Sequence, residues 1–145
     1  MIRMVTASLV LALATLSAMA EERVAATLYK IPNCSCCKKY ADYLRTNGFD
    51  VTVIEAPDMT PIKQKYGVGK NLEGCHTAVI GGYVVEGHVP VGSINRLLSE
   101  KPAIKGITLP GMPPGSPGMS GSKTGSFEIL SITGQDAAPA VFATE

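Results

Sequence analysis

VAATLYKIPNCSCCKKYADYLRTN, residues 24–47, joins two patterns of different period. Val24 to Ile31 is an apolar, strand-type run. Lys38 to Asn47 has helix-type spacing, with Cys37, Tyr40, Ala41 and Leu44 at i, i+3, i+4 and i+7. Asn33 is placed to cap this helix and Gly48 to end it. Cys34, Cys36 and Cys37 therefore stand where a strand hands over to a helix. The free N–H groups and the positive dipole end found there favour thiolate over thiol, so cysteines at this place act as nucleophiles or metal ligands.

Outward from this junction the elements read in the order βαβαββα. Phe49, Val51 and Val53 alternate with polar residues as a second strand. Thr60 as N-cap, Pro61 at the first helical position and Gly67 beyond Tyr66 bracket a short second helix. Thr77 to Ile80, the Gly81-Gly82 pair and Tyr83 to Glu86 read as a tight hairpin, because two glycines supply the positive φ angles of a two-residue turn. Ile94, Leu97 and Leu98 mark a third helix from Ser93, stopped by Pro102. Residues 105–126, which include LPGMPPGSPGMSGSKTG, are expected to form an irregular Pro/Gly-rich loop. Residues 127–145 are expected to form a short C-terminal β extension, with Phe127 to Ile132 pairing with Ala140 to Ala143.

Two strands linked by a helical crossover, followed by a hairpin and a closing helix, describe an α/β fold with a thioredoxin-like mixed sheet. Cys34 and Cys37 match the C-x-x-C that such a fold carries at the start of its first helix. In thioredoxin-like proteins the residues entering the third strand lie against this motif, and redox members resemble one another in placing a cis-proline there. This chain has Gly74-Cys75-His76-Thr77 at that point, with a thiol and an imidazole in place of the proline.

The compartment decides what such thiols can do. Residues 1–20 carry Arg3, an apolar run from Val5 to Leu16 and an Ala18-Met19-Ala20 ending, the layout of a secretory signal peptide. One domain is expected over 21–145, long enough for a real core. The full chain has 13 basic and 12 acidic side chains, and Arg3 lies in the leader, so beyond it the charges balance. No basic patch points to nucleic acid, and no second apolar run reaches membrane-spanning length. In an oxidising compartment an even cysteine count ordinarily means a disulfide framework. Here three of the four cysteines lie within four consecutive residues, where a bridge closes almost no loop.

Thiolates select Cu(I), zinc or iron–sulfur clusters among the common metals. A structural four-cysteine zinc site usually uses two separated pairs to surround one ion, and the adjacency of Cys36 and Cys37 makes that awkward. Several Cu(I) ions bridged by thiolates tolerate the crowding better, since each needs only two or three sulfurs. Copper is therefore preferred, with zinc as the alternative. His76, beside Cys75, is a candidate ligand or proton-handling neighbour, with a plain loop residue as the alternative, and His88 is a candidate for metal contact or a buried backbone-bonding histidine. Met112 and Met119 could offer thioethers to Cu(I), although methionines more often fill gaps. Lys38 and Lys39 read as solubilising residues, and Tyr40 and Tyr83 as core or rim.

CSCCKKY, GCHTAVIGGYVVEGHVPV and LPGMPPGSPGM together resemble the exported CopG-type family of small cysteine-rich proteins associated with copper tolerance. The resemblance runs from about Thr27 to Gly118, with Ser35 and Tyr40 standing where the family commonly has Gly and Trp. It implies a thioredoxin-like periplasmic protein that binds copper through Cys34, Cys36, Cys37 and Cys75, with Cu(I)/Cu(II) interconversion and other exported copper-handling proteins as partners. Two other readings stay open. One is a thiol–disulfide oxidoreductase in which Cys34 attacks and Cys37 resolves. The other is a zinc-binding or disulfide-held interaction module.

Overall fold

The computed structural model describes residues 22–134 and 138–145, so the expected signal peptide lies outside the described residues. Its elements are β1 (Val24–Lys30), α1 (Ser35–Thr46), β2 (Phe49–Glu55), α2 (Thr60–Lys65), β3 (His76–Ile80), β4 (Tyr83–Gly87), α3 (Val91–Glu100), β5 (Gly106–Leu109), β6 (Glu128–Ile132) and β7 (Val141–Thr144), with a 3-10 turn at Lys70–Leu72. They build one mixed sheet in the order β2-β1-β3-β4-β5-β6-β7. β1 runs parallel to β2 and antiparallel to β3, and β3 is antiparallel to β4. That quartet is the thioredoxin-like arrangement expected from the element order. The β3–β4 turn is the two-residue kind, with Gly81 and Gly82 at φ 57° and 85°.

Beyond α3 the sheet continues. β5 pairs parallel to β4, and the β6–β7 hairpin closes the edge, as the C-terminal β extension predicted. The strand β5 corrects the expectation of an irregular segment from residue 105. Its four residues are all buried, and Gly106 permits a close approach to the Val84 carbonyl that a Cβ would block. Partners on both sides, rather than local pattern, make it a strand.

Alternation across β4 divides the core in two. Val85 packs with Tyr40, Ala41 and Leu44 of α1 and Ile94 and Leu97 of α3, whereas Val84 packs with Val68 and Leu72. The helices α1 and α3 thus cover one face and the 66–72 segment the other, which leaves the start of α1 beside the entry to β3.

Three helix starts differ from expectation. Cys34, not Asn33, is the N-cap of α1, and its Sγ accepts from the Cys37 N–H at 3.3 Å. Asn33 instead makes the turn before it at φ 59°, a left-handed conformation that Asn tolerates. Thr60 is the first residue of α2 and not its cap, because Asp58 Oδ1 accepts the Thr60 N–H at 2.8 Å. α3 begins two residues before Ser93, directly after Pro90.

Candidate metal centre

Four sulfurs meet where α1 starts beside the entry to β3. Cys34 and Cys37 are joined by a disulfide across the first turn of α1, with Cα atoms 5.3 Å apart. Cys36 and Cys75 are free thiols. The Cys36 Sγ lies 3.5 Å from that of Cys34 and 3.6 Å from that of Cys75, and the Cys37 Sγ lies 3.6 Å from that of Cys75. The sequence-based objection that neighbouring Cys36 and Cys37 could hardly face one point does not hold. Cys75 arrives between them from the adjoining strand.

The histidines approach Cys75 from the other side. Its Sγ is 3.0 Å from His88 Nε2 and 3.3 Å from His76 Nδ1. His88 Nδ1 lies 2.6 Å from the Pro117 carbonyl and donates to it, so the tautomer leaves the Nε2 lone pair toward the sulfur. Both rings are fully buried against Tyr40, His76 at a tilt and His88 edge-on, and the Tyr40 hydroxyl donates to the Val89 carbonyl at 2.8 Å. His76 Nε2 is a buried nitrogen without a hydrogen-bond partner. Two donor groups result, each with its ligand atoms within 4.8 Å of one another. One is Cys34, Cys36, Cys37 and Cys75, and the other is Cys75, His76 and His88. Cys75 belongs to both.

Burial favours the neutral forms of Cys75, His76 and His88. Burial, followed by the hydrogen bond and charge of Cys36, pushes the Cys75 thiol up to about 12. Burial, with His88 and Lys63 adding to it, lowers His76 to about 3. His88 is lowered by burial too, partly opposed by the Pro117 carbonyl. Neutral imidazoles offer lone pairs, and a cation entering the centre would supply the charge that lets the thiols ionise.

The Pro/Gly segment closes over this place. Gly118, at φ 84°, lies against the backbone of Cys36 and Tyr40, where a Cβ would come within 3.0 Å of the Cys36 carbonyl and 2.9 Å of the Tyr40 nitrogen. Met119 follows it and is half-buried, whereas Met112 is 52 % exposed. Lys38 and Lys39 are exposed, Tyr40 is core and Tyr83 is half-buried.

Sequence reasoning missed a buried ion pair at the back of the centre. Glu86 is fully buried on β4 and pairs with Lys63 of α2. Burial raises its carboxyl, opposed by Lys63 and by the hydrogen bonds from Thr77 and Gly74. A lone acid on the apolar strand Tyr83–Gly87 was the available signal.

Residues 72–119, which contain Cys75, His76 and His88, match a family model described as "Protein of unknown function, DUF411". Among curated proteins none matches. Two solved structures do. One, "Copper resistance protein copG- Form 2", is 38% identical, with a TM-score of 0.77, over 86% of this chain and 99% of that chain. The other, "Copper resistance protein copG- Form 1", is also 38% identical, with a TM-score of 0.76, over 86% of this chain and 98% of that one.

Proposed function

The chain belongs to the CopG copper resistance family, and from that membership we propose that it is an exported, periplasmic protein that takes Cu(I) into its cysteine cluster and so contributes to copper tolerance. The observation that carries the reading is the sharing of Cys75 between a four-sulfur group and a sulfur-plus-two-imidazole group. A thiolate in that place can bridge ions, and soft sulfur selects Cu(I) over harder metals. A single tetrahedral zinc would use the four sulfurs and leave both buried imidazoles without a role. Cys34, Cys36, Cys37, Cys75, His76 and His88 are the proposed ligands, and Met119 is an auxiliary candidate that follows the covering Gly118. Met112, being exposed, is the weaker thioether candidate.

The Cys34–Cys37 bridge adds a redox component. Two Cu(II) ions can each take one electron as the Cys34 and Cys37 thiolates join, giving two Cu(I) and the disulfide. A dithiol reductant would return the pair to thiols. The histidines suit the oxidised metal, which prefers nitrogen, and Cys36 and Cys75 remain for the reduced one. Other exported copper-handling proteins are the proposed partners in exchange. Among the described residues no helix is long and apolar enough to cross a membrane.

The same bridge favours a second reading, a thiol–disulfide oxidoreductase using Cys34 and Cys37. Replacing Cys36 separates the two. In the copper reading Cys36→Ser lowers the number of Cu(I) ions held against a chromophoric chelator by the reduced protein. In the oxidoreductase reading it leaves disulfide reductase turnover nearly intact. Retention of the full Cu(I) number by Cys36→Ser, or uptake of one zinc and no copper by the wild type, would overturn the copper proposal.

A further inference from the structure

The entry to β3 carries an unusual density of anchors. The Leu72 carbonyl accepts from Thr108 Oγ1 at 2.7 Å, and the Glu73 carbonyl from the Gly111 N–H at 3.3 Å. Gly74 is held at both its N–H and its carbonyl by the buried pair. Gly74 N–H donates to Glu86 Oε1 at 2.8 Å, and Lys63 Nζ donates to the Gly74 carbonyl at 3.0 Å. Glu86 Oε2 also accepts from Thr77 Oγ1 at 2.6 Å, so one carboxylate grips the chain on both sides of Cys75-His76. Gly74 packs so closely on Gly87 that a Cβ would lie 2.5 Å from the Gly87 Cα.

We propose that Lys63 and Glu86 are positioning residues for the Cys75 sulfur, taking the part that a cis-proline plays in redox members of the thioredoxin-like fold. Gly74-Cys75-His76 contains no proline, and the hydrogen bonds that hold this turn come from Lys63 and Glu86. The pair lies behind the peptide that precedes Cys75. Its bonds end on main-chain atoms of Gly74 and on Thr77, and none ends on a sulfur. A buried ion pair is weak as a source of stability, and the atoms this one bonds, Gly74 N–H, the Gly74 carbonyl and Thr77 Oγ1, are those that set the course of the chain through Cys75. Lys63 and Glu86 meet across α2 and β4, neither of which carries a residue of the two donor groups. Together they set where the sulfur stands relative to Cys36 and Cys37, and hence whether one thiolate can serve both donor groups. The copper consequence rests on the function proposed above; the placement of the sulfur does not.

The test uses Lys63→Met/Glu86→Gln, which removes both charges together and so avoids the uncompensated buried charge of either single change. Two measurements follow on the full mature chain, each beside a thermal melt. In the first, reduced protein is titrated with Cu(I) against a chromophoric chelator, with and without Cys75→Ser. The clamp variant and Cys75→Ser are each expected to weaken copper binding at least tenfold, and combining the two should add little. In the second, metal-free Cys34→Ser/Cys37→Ser protein is equilibrated with glutathione. Oxidised glutathione and the thiols of Cys36 and Cys75 give the protein bridge and two glutathione molecules, and the equilibrium reads the effective concentration of one thiol at the other. The clamp variant should lower it at least tenfold. A lower melting temperature with both readings unchanged would make the pair merely structural and overturn the proposal, as would a copper loss fully additive with that of Cys75→Ser. Wild-type copper binding by Cys75→Ser itself would instead overturn the ligand set, and the glutathione equilibrium would still decide the clamp.

Discussion

Reducing the Cys34–Cys37 bridge in the metal-free protein is expected to leave the fold standing while opening the proposed copper site. The two residues are three apart in sequence, so the bridge closes a ring of one helical turn. In chain-entropy terms so short a loop stabilises a protein by roughly 2 kcal/mol. A domain's net stability is roughly 5–15 kcal/mol, so the loss is tolerable. Little else depends on the bridge. Cys37 stays packed in the core, and Cys34 Sγ can accept the Cys37 N–H as a thiol or thiolate. Anaerobic urea unfolding of the oxidised and reduced protein should therefore differ by about 2 kcal/mol. Cu(I) titration of the same two samples should then diverge. The reduced chain offers four sulfurs and is expected to take more than one ion, whereas the oxidised chain keeps only Cys36 and Cys75 as thiols and should take fewer. Equal uptake in both states would refute the reasoning, since Cys34 and Cys37 would then not be ligands. A loss above about 4 kcal/mol would show that the bridge holds the fold rather than gating the metal.

Two further predictions concern the histidines. His76 is held at about 3 by burial, below its ordinary value near 6.5, so the unfolded chain takes up a proton that the folded chain refuses. Its contribution is complete above pH 6.5 and is lost as pH falls toward 3. Metal-free protein should therefore lose about 2 kcal/mol between pH 7 and pH 5 through this residue, and His76→Phe, measured by urea unfolding at both values, should lack that part of the slope. With both histidines replaced by phenylalanine, which keeps the buried ring volume, Cu(I) affinity should stay within about tenfold, or ~1.4 kcal/mol, while a stable Cu(II) form disappears. A nitrogen-coordinated Cu(II) electron paramagnetic resonance signal that survives both replacements would rule out their role.

The junction at residues 24–47 was legible because its two halves have different periods, and the Gly81-Gly82 hairpin because few residues accept its φ angles. The strand β5 was not, since Gly106-Ile107-Thr108-Leu109 is too short for periodicity and leads into the Pro/Gly stretch. Only pairing with β4 and β6 makes it a strand. The cap of α1 was misread because residue preference points to Asn33, whereas the structure uses that residue's tolerance of left-handed backbone and lets a sulfur do the capping. At the centre, the residue types and the approach of the β3 entry to the C-x-x-C were readable, and the interleaving of the sulfurs was not. Nothing in the sequence fixes that Cys75 enters between Cys36 and Cys37, because that follows from β1–β3 pairing and from anchors on α2, β4 and β5.

The filling of the β3 entry has a consequence for substrate size. In redox members of the fold this is where a substrate peptide is held, yet here the place contains a thiol, two buried imidazoles and the Tyr40 ring. The 116–118 segment closes it further, with Pro117 bonded to His88 and Gly118 seated on Cys36 and Tyr40. An extended polypeptide would have to displace these groups and leave buried polar atoms unpaired, at roughly 1–3 kcal/mol for each. A metal ion needs no such room, and the thiol and two imidazoles that obstruct the peptide are donor groups to it. The replacement of the cis-proline by Gly74-Cys75-His76 therefore turns a site that recognises other proteins' disulfides into one whose partners are already inside it, and this weighs for copper and against general disulfide reduction.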